Sequence, residues 1–496
     1  MKKAVKIVAL ILCLCLLFSS CSGNTGNEET TSGESMSENQ QNVGTENNNN
    51  ENITLPYNRT DGLNPFFAKS HENLYICALL FQPLYTTDST YIANTVIAES
   101  INVTEKTATV RLRQGVVCKN STYINAEDVV YSFNMAKKSY AWSDNLNNVV
   151  SAQAVGMYTV EFTLNHKDIY VSGKLNFPVV KTGTADNETS TPIGSGSYYY
   201  QDEKLINTLN KGKVIHLSPI GTRDSAENAM NIGVTDVFFN DMTECDYTAT
   251  SSTKYDVQLN NMVYLGLNNS NGALNNHIRN AIAAKIDSEK IALSSYQGHA
   301  TAVKLPLNPE SSIADEVTAI KTTGDINLAN NIIDRCGYTR YSGRAKTNGA
   351  YVLSFTLIVN KENKFRVAAA YNIADSLNEC GFLITVQTLP FSEYMERISS
   401  GNYDMYLGEV KLDYTMDISQ FFISGNPLNS GVDSDDIAAT QYFKYRAGEL
   451  TPVEYYEIFV EQYPFIPVVF RKGYVAISDK VKLNLKELPY NLYNGL

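Results

Sequence analysis

The spacing of apolar and polar positions divides the chain into a short leader, a polar stretch and a long patterned body. Ala4 to Phe18 is almost wholly apolar and sits behind the basic Lys2, Lys3 and Lys6. That run is shorter than the roughly 20 residues a helix needs to cross a bilayer core. Ser19, Ser20 and Cys21 follow, and the chain then turns polar. A basic start, an apolar run and a small-residue close predict a secretory signal peptide over residues 1–21. Ser22 to Asn52 is mainly Asn, Glu, Thr, Ser and Gly, with no aromatic residue. Such a segment cannot bury enough apolar surface to offset its ordering entropy. It predicts a flexible tether over residues 22–54.

The body alternates strand and helix signals. Thr107–Arg113 and Tyr158–Leu164 alternate apolar with polar residues, which predicts half-buried strands. Asn125 precedes Ala126, Glu127 and Asp128, a helix start with acids in its first turn. Val129, Val130 and Phe133 give that helix an apolar face. Ile278, Ala281, Ile282 and Ile286 recur at helical spacing after Asn276, as do Val367, Ala370, Ala374 and Leu377. Gly381 is placed to stop the second of these helices, and Phe382–Leu389 reads as a strand. Thr451, Pro452 and Glu454 make a capping box with proline at the first helical position. About 440 residues of this mixture exceed one ordinary core and predict more than one domain.

Charge and composition narrow the function. The whole chain carries a formal −12, and losing the three leader lysines takes it to −15. A body that acidic is a poor partner for nucleic acid, whose phosphates require basic patches. The cysteines beyond Cys21 are Cys77, Cys118, Cys245, Cys336 and Cys380, an odd set with no C-x-x-C spacing, read as isolated thiols. His71, His166, His216, His277 and His299 are never paired at i, i+3 or i+4, so no helix-borne metal site is expected. Neither a G-x-S-x-G elbow nor a P-loop is present. Gly194-Ser195-Gly196 reads as a loop, and Glu127-Asp128 belongs to a helix start. No catalytic residue, cofactor or metal is assigned, and no enzyme activity is expected.

A series of segments in order resembles extracellular solute-binding protein family 5, the oligopeptide-, dipeptide- and nickel-binding lipoproteins of ABC importers. The segments are Leu63-Asn64-Pro65-Phe66, Phe81–Asp88 and, most specifically, Val110–Phe133. Thr191–Tyr200, Val263–Asn269 with Ile278–Asp287, Cys336–Tyr338 and Ala374–Val386 follow. Gly401–Tyr414 and Phe465–Phe470 complete the series. Together they run from about residue 55 to 475. Ser19-Ser20-Cys21 likewise resembles a lipobox, with Phe18 where Leu is usual. Three departures stand out. Ser121 replaces the glycine of an Asn-Gly turn, and Ser197 replaces a proline. Glu409-Val410 replaces a Gly-Trp pair.

The resemblance implies an α/β protein of the two-lobed periplasmic-binding-protein type II fold, with a hinge. It places a first lobe at 55–265 plus 471–496, with an inserted subdomain at about 80–185, and a second lobe at 266–470. Hinge crossings are expected at Val263–Asn269 and near Arg471–Ser478. It implies cleavage before Cys21, lipidation of that residue, and a monomer anchored on the outer face of the cell membrane. The cargo it implies is a small solute, a peptide first, delivered to ABC permease subunits. A peptide-signal receptor or sensor uncoupled from uptake would use the same fold. The ligand would lie along Glu409, Val410, Lys411, Leu412, Asp413 and Tyr414, with the Asp413 carboxylate facing a peptide's amine. Asp417 is a second candidate carboxylate. Apart from the resemblance, Glu409, Lys411 and Asp413 would share one face of an extended segment as acid, base, acid. Trp offers far more apolar area than Val410, so an altered side-chain pocket is expected.

Overall fold

The computed structural model describes residues 53–243, 252–318, 320, 325–339, 344–346, 352–481, 483, 492, 493 and 496. Cys21, the leader, residues 22–52 of the expected tether and Cys245 lie outside them, while Ile53 is buried and Thr54 opens a strand, so the ordered body begins two residues before the expected end of the tether. The described residues bury two separate hydrophobic clusters. The first gathers residues 53–217 with Val237, Val257, Val475, Ile477 and the C-terminal Leu492, Tyr493 and Leu496. The second gathers residues 226–476.

Two four-stranded sheets frame the first cluster. One has the order Thr54–Tyr57, Val214–Pro219, Lys204–Asn207, Tyr198–Gln201. The other is antiparallel, in the order Ala98–Val103, Thr107–Leu112, Thr159–Leu164, Val149–Gly156. Helix α1 (Ala126–Ala136) packs on it, burying Val129 and Phe133. The Asn125 side chain accepts from the backbone of Glu127 and Asp128, and Asp128 returns the bond to the Asn125 N–H. Gly196 lets the chain pass against the helix at His71–Leu80. A Cβ there would lie 2.2 Å from the Leu79 carbonyl oxygen. Ser121 holds φ at +64°, the left-handed region that its glycine counterpart enters freely. Cys77 and Cys118 are buried thiols.

The second cluster surrounds a seven-stranded sheet. Its strands are β1 (Val237–Asn240), β2 (Thr253–Leu267), β3 (Ser354–Asn360), β4 (Leu383–Leu389), β5 (Met405–Lys411) and β6 (Phe465–Ile477), with Ala300–Ala302 beside β6. The order is β1-β6-β2-β5-β3-β4. β3 runs parallel to both β4 and β5, while β2, β6 and β1 pair antiparallel. Helices α2 (Asn276–Lys285), α3 (Lys364–Glu379), α4 (Ile437–Arg446) and α5 (Pro452–Gln462) complete it. The expected capping box at Thr451–Glu454 is present, and Gly381 takes φ +84° just past α3.

β1, β2 and β6 pass from one cluster to the other. Val257, Val475 and Ile477 belong to the first, Met262, Val469 and Phe470 to the second. The β2–β6 register slips between Gln258 and Met262, between Val257 of the first cluster and Met262 of the second. A bulge of this kind bends a strand and loosens its ladder locally. No helix among the described residues is long and apolar enough to cross a membrane.

Candidate functional site

β5 is anchored on both sides, by β2 with Asn261 opposite Lys411 and Val263 opposite Glu409, and by parallel β3. It ends at Lys411. The acid-base-acid alternation expected through Asp413 therefore holds only for Glu409 and Lys411. Asp413 departs because its side chain folds back on its own backbone. Its Oδ1 accepts from Thr415 N at 2.8 Å, Thr415 Oγ1 at 2.7 Å and Asp417 N at 3.2 Å. That local turn competes with strand continuation, as aspartate side chains commonly do.

The other Asp413 oxygen meets a residue the sequence reading passed over. Lys174 Nζ donates to Asp413 Oδ2 at 2.5 Å and to Asp417 Oδ2 at 2.7 Å, and lies 3.4 Å from Asn147 Oδ1. Lys174 is fully buried, Asp413 is 8% exposed and Asp417 2%. All three ammonium donors thus have acceptors, and the Asp413 carboxylate takes three donors on Oδ1 and one on Oδ2. Burial alone would depress the Lys174 ammonium, but Asp413 and Asp417 outweigh it and hold it above its usual range. Burial would raise Asp417, yet Lys174 and Arg446 keep it far below the usual carboxylate range. Tyr442 OH and Ser419 N donate to its second oxygen, at 2.8 and 2.7 Å.

A second buried pair stands beside the first. Arg446, at the C-terminus of α4, donates to Asp168 Oδ2 at 2.8 Å and to the Thr415 carbonyl at 2.8 Å. Its guanidinium lies 4.8 Å from the centre of the Tyr170 ring. Ile169 N donates to the Arg446 carbonyl at 2.9 Å. In the segment Asp168–Lys174, Val171 belongs to the first cluster and Tyr170 packs against the second, to which the residues of 412–446 belong, so both ion pairs stand where the two clusters adjoin. Gly173 permits the approach, since a Cβ there would sit 2.7 Å from Thr415 Cγ2.

The remaining expected residues fall around this junction. Val410 is half-buried, and Leu412 is buried with its N–H on the Asn260 carbonyl at 3.0 Å. The Tyr414 ring lies 5.5 Å from that of Tyr91, whose hydroxyl reaches Asn260 Oδ1 at 2.5 Å. Glu409 accepts from Arg471 Nη1 at 2.6 Å and Asn261 Nδ2 at 2.8 Å, with Arg366 Nε 3.8 Å from its other oxygen. Among the described residues Lys411 makes no ion pair, and its side chain stays open to solvent. Enough protein surrounds it for burial to lower its pKa, against a smaller opposing pull from Asp241. A gap of about 20 Å³ separates Asp144, Asn145 and Asn147 from Val410–Asp413, Asp417 and Phe421. That is room for about one water molecule. A solute enters here only if the two walls move apart.

Of the six expected residues, the structure gathers Val410–Asp413 at this gap and turns Glu409 toward Arg471. The sequence reading missed Lys174, Asp168, Arg446, Arg366 and Arg471. One signal was available: Lys174 is the one charged residue in the largely apolar run Ile169–Val180, and lysine is rarely buried without a partner.

A family model described as Bacterial extracellular solute-binding proteins, family 5 Middle, matches residues 93–430. No curated protein matches the chain. Among solved structures, the chain is similar to the Nickel ABC transporter from Bacillus halodurans. The TM-score is 0.70 at 17% identity, covering 87% of this chain and 96% of that one. MppA, a Periplasmic Murein Tripeptide Binding Protein in an unliganded open form, gives 0.69 at 18% identity, covering 89% and 96%. The oligopeptide-binding protein AppA from Bacillus subtilis, in complex with a nonapeptide, gives 0.57 at 19% identity, covering 89% and 97%. These likenesses establish the fold, a mixed α/β periplasmic-binding-protein architecture.

Proposed function

Because this chain belongs to the bacterial extracellular solute-binding proteins of family 5, we propose that it captures a peptide between its lobes and delivers it to the permease subunits of an ABC importer. It is a binding protein and not an enzyme. The lobes correspond to the two buried clusters, and the slipped register at Gln258–Met262 is the natural place for them to pivot. Residues Glu409, Val410, Lys411, Leu412, Asp413 and Tyr414 form the second-lobe wall of the cleft. Asp144–Asn147 and Lys174 face them from the first lobe. The observation that carries this reading is that narrow, polar gap between residues of two separate cores.

Cys21 is read as the lipidated residue, and two acyl chains there would hold the protein to the outer face of the membrane. The tether of residues 22–52 would give the folded body reach toward its permease as a monomer. The supporting neighbours include one that binds a nonapeptide and one that binds a murein tripeptide. Mass spectrometry of the purified protein, before and after denaturation, tests the reading. Peptides released on denaturation are expected. Release of a metal chelate in their place, or a chain that neither carries nor binds peptides, would end the peptide assignment.

A further inference from the structure

The charges at the two ends of the cleft wall are treated differently. At Asp413 and Asp417 the protein supplies its own ammonium, Lys174, at 2.5 and 2.7 Å. On Asp413, Oδ1 already accepts from three protein donors and Oδ2 accepts from Lys174. While the two walls are apposed, a ligand amine would compete with the buried Lys174 for Asp413 Oδ2 and would leave that lysine with Asp417 alone. Removing one of the two carboxylates that offset a buried ammonium is costly.

Two residues away the balance reverses. Glu409 is held by Arg471 and Asn261 at hydrogen-bonding distance. Arg366 lies 3.8 Å off, too far for a hydrogen bond, and is 15% exposed. Its Nε is buried with no hydrogen-bond partner. Lys411, on the same face of β5 as Glu409, makes no ion pair among the described residues. Arg366, Arg471 and Lys411 together face the acids Glu409 and Asp241, which leaves one positive charge uncompensated. These groups sit at the carboxyl ends of the parallel strands β3 and β5, where open α/β sheets bind their ligands.

We propose that Lys174 is a built-in ammonium that closes the acidic end of the cleft, and that the cargo is recognised by a carboxylate placed against Lys411 and Arg366. This rests on the cleft proposed above as the binding site. The favoured solute therefore carries a negative group and needs no free amine, as in a peptide with a blocked N-terminus or a non-peptide organic acid. A guanidinium with an idle N–H and a lysine without a counter-ion supply the charge-assisted hydrogen bonds that a carboxylate takes best.

Calorimetry of the mature full-length chain with one tripeptide library in three forms tests this. The forms are free at both ends, N-acetylated, and C-amidated. Citrate and succinate form a fourth arm. Acetylation is expected to leave affinity within about threefold, and amidation to weaken it by about tenfold or more. That difference should vanish in Lys411→Met and shrink in Arg366→Met. Lys411 is exposed, so its variant tests the proposal without risk to folding. A tenfold loss on acetylation with none on amidation overturns the proposal and leaves the peptide reading standing. Binding of citrate or succinate alone upholds the anion site and removes the peptide reading. Binding by no arm removes both.

Discussion

Replacing Lys174 with Met tests whether the lysine joins the lobes or merely fills space. Methionine nearly matches the length of the lysine stem, so packing is largely conserved. What disappears is the cation between two carboxylates whose Oδ2 atoms lie 2.5 and 2.7 Å from one nitrogen. Removing one partner of a buried ion pair costs about 3–5 kcal/mol, because the remaining charge is stranded. Here the stranded charges have an exit. If the lobes separate, Asp413 and Asp417 regain water while each hydrophobic cluster stays intact. The cost should therefore appear mainly in the equilibrium between apposed and separated lobes. At 1.4 kcal/mol per tenfold, it amounts to roughly two to three and a half powers of ten. Small-angle scattering should report a larger radius of gyration for Lys174→Met than for the parent. The triple variant Lys174→Met, Asp413→Asn, Asp417→Asn removes the stranded charges and should scatter like the parent. A single variant with unchanged scattering and unchanged melting would refute the reasoning, as would a triple variant as expanded as the single one.

Other expectations are narrower. The Asp417 carboxyl is depressed in the folded state despite its burial, through Lys174 and Arg446. Its contribution to stability is therefore complete above the ordinary carboxylate range, about pH 4, and fades as pH falls further. Lys174 is raised, so its contribution holds below about pH 10 and is lost on going higher. Urea midpoints measured across pH should show that plateau, and Asp417→Asn should flatten its acid side. Ser121→Gly relieves a positive φ of 64° and should add up to about 1 kcal/mol, read as a melting point raised by a few degrees. Gly196→Ala forces a Cβ to within 2.2 Å of a backbone oxygen. It should sharply lower the yield of folded protein, and a variant that melts like the parent would contradict the close approach drawn at the Leu79 carbonyl.

Local structure was the part legible from residue order. The helix starts at Asn125 and Thr451 depend on groups within three residues of one another. The helices and strands depend on periodicities of a few residues. Such signals survive in a one-dimensional string because the interacting groups are neighbours along it. The stretch Glu409–Tyr414 could be singled out, as could Asp417, but their partners could not. Lys174 meets Asp413 across 239 positions, and Arg446 meets Asp168 across 278. Nothing near Asp413 in the chain says that a lysine will reach it, since the apposition depends on how two separately built cores dock. Residue order decided which elements form, where they begin and end, and which faces are apolar. Only the tertiary arrangement decided that Asp413 is already paired and Lys411 is not, because the field at a charge depends on its neighbours in space.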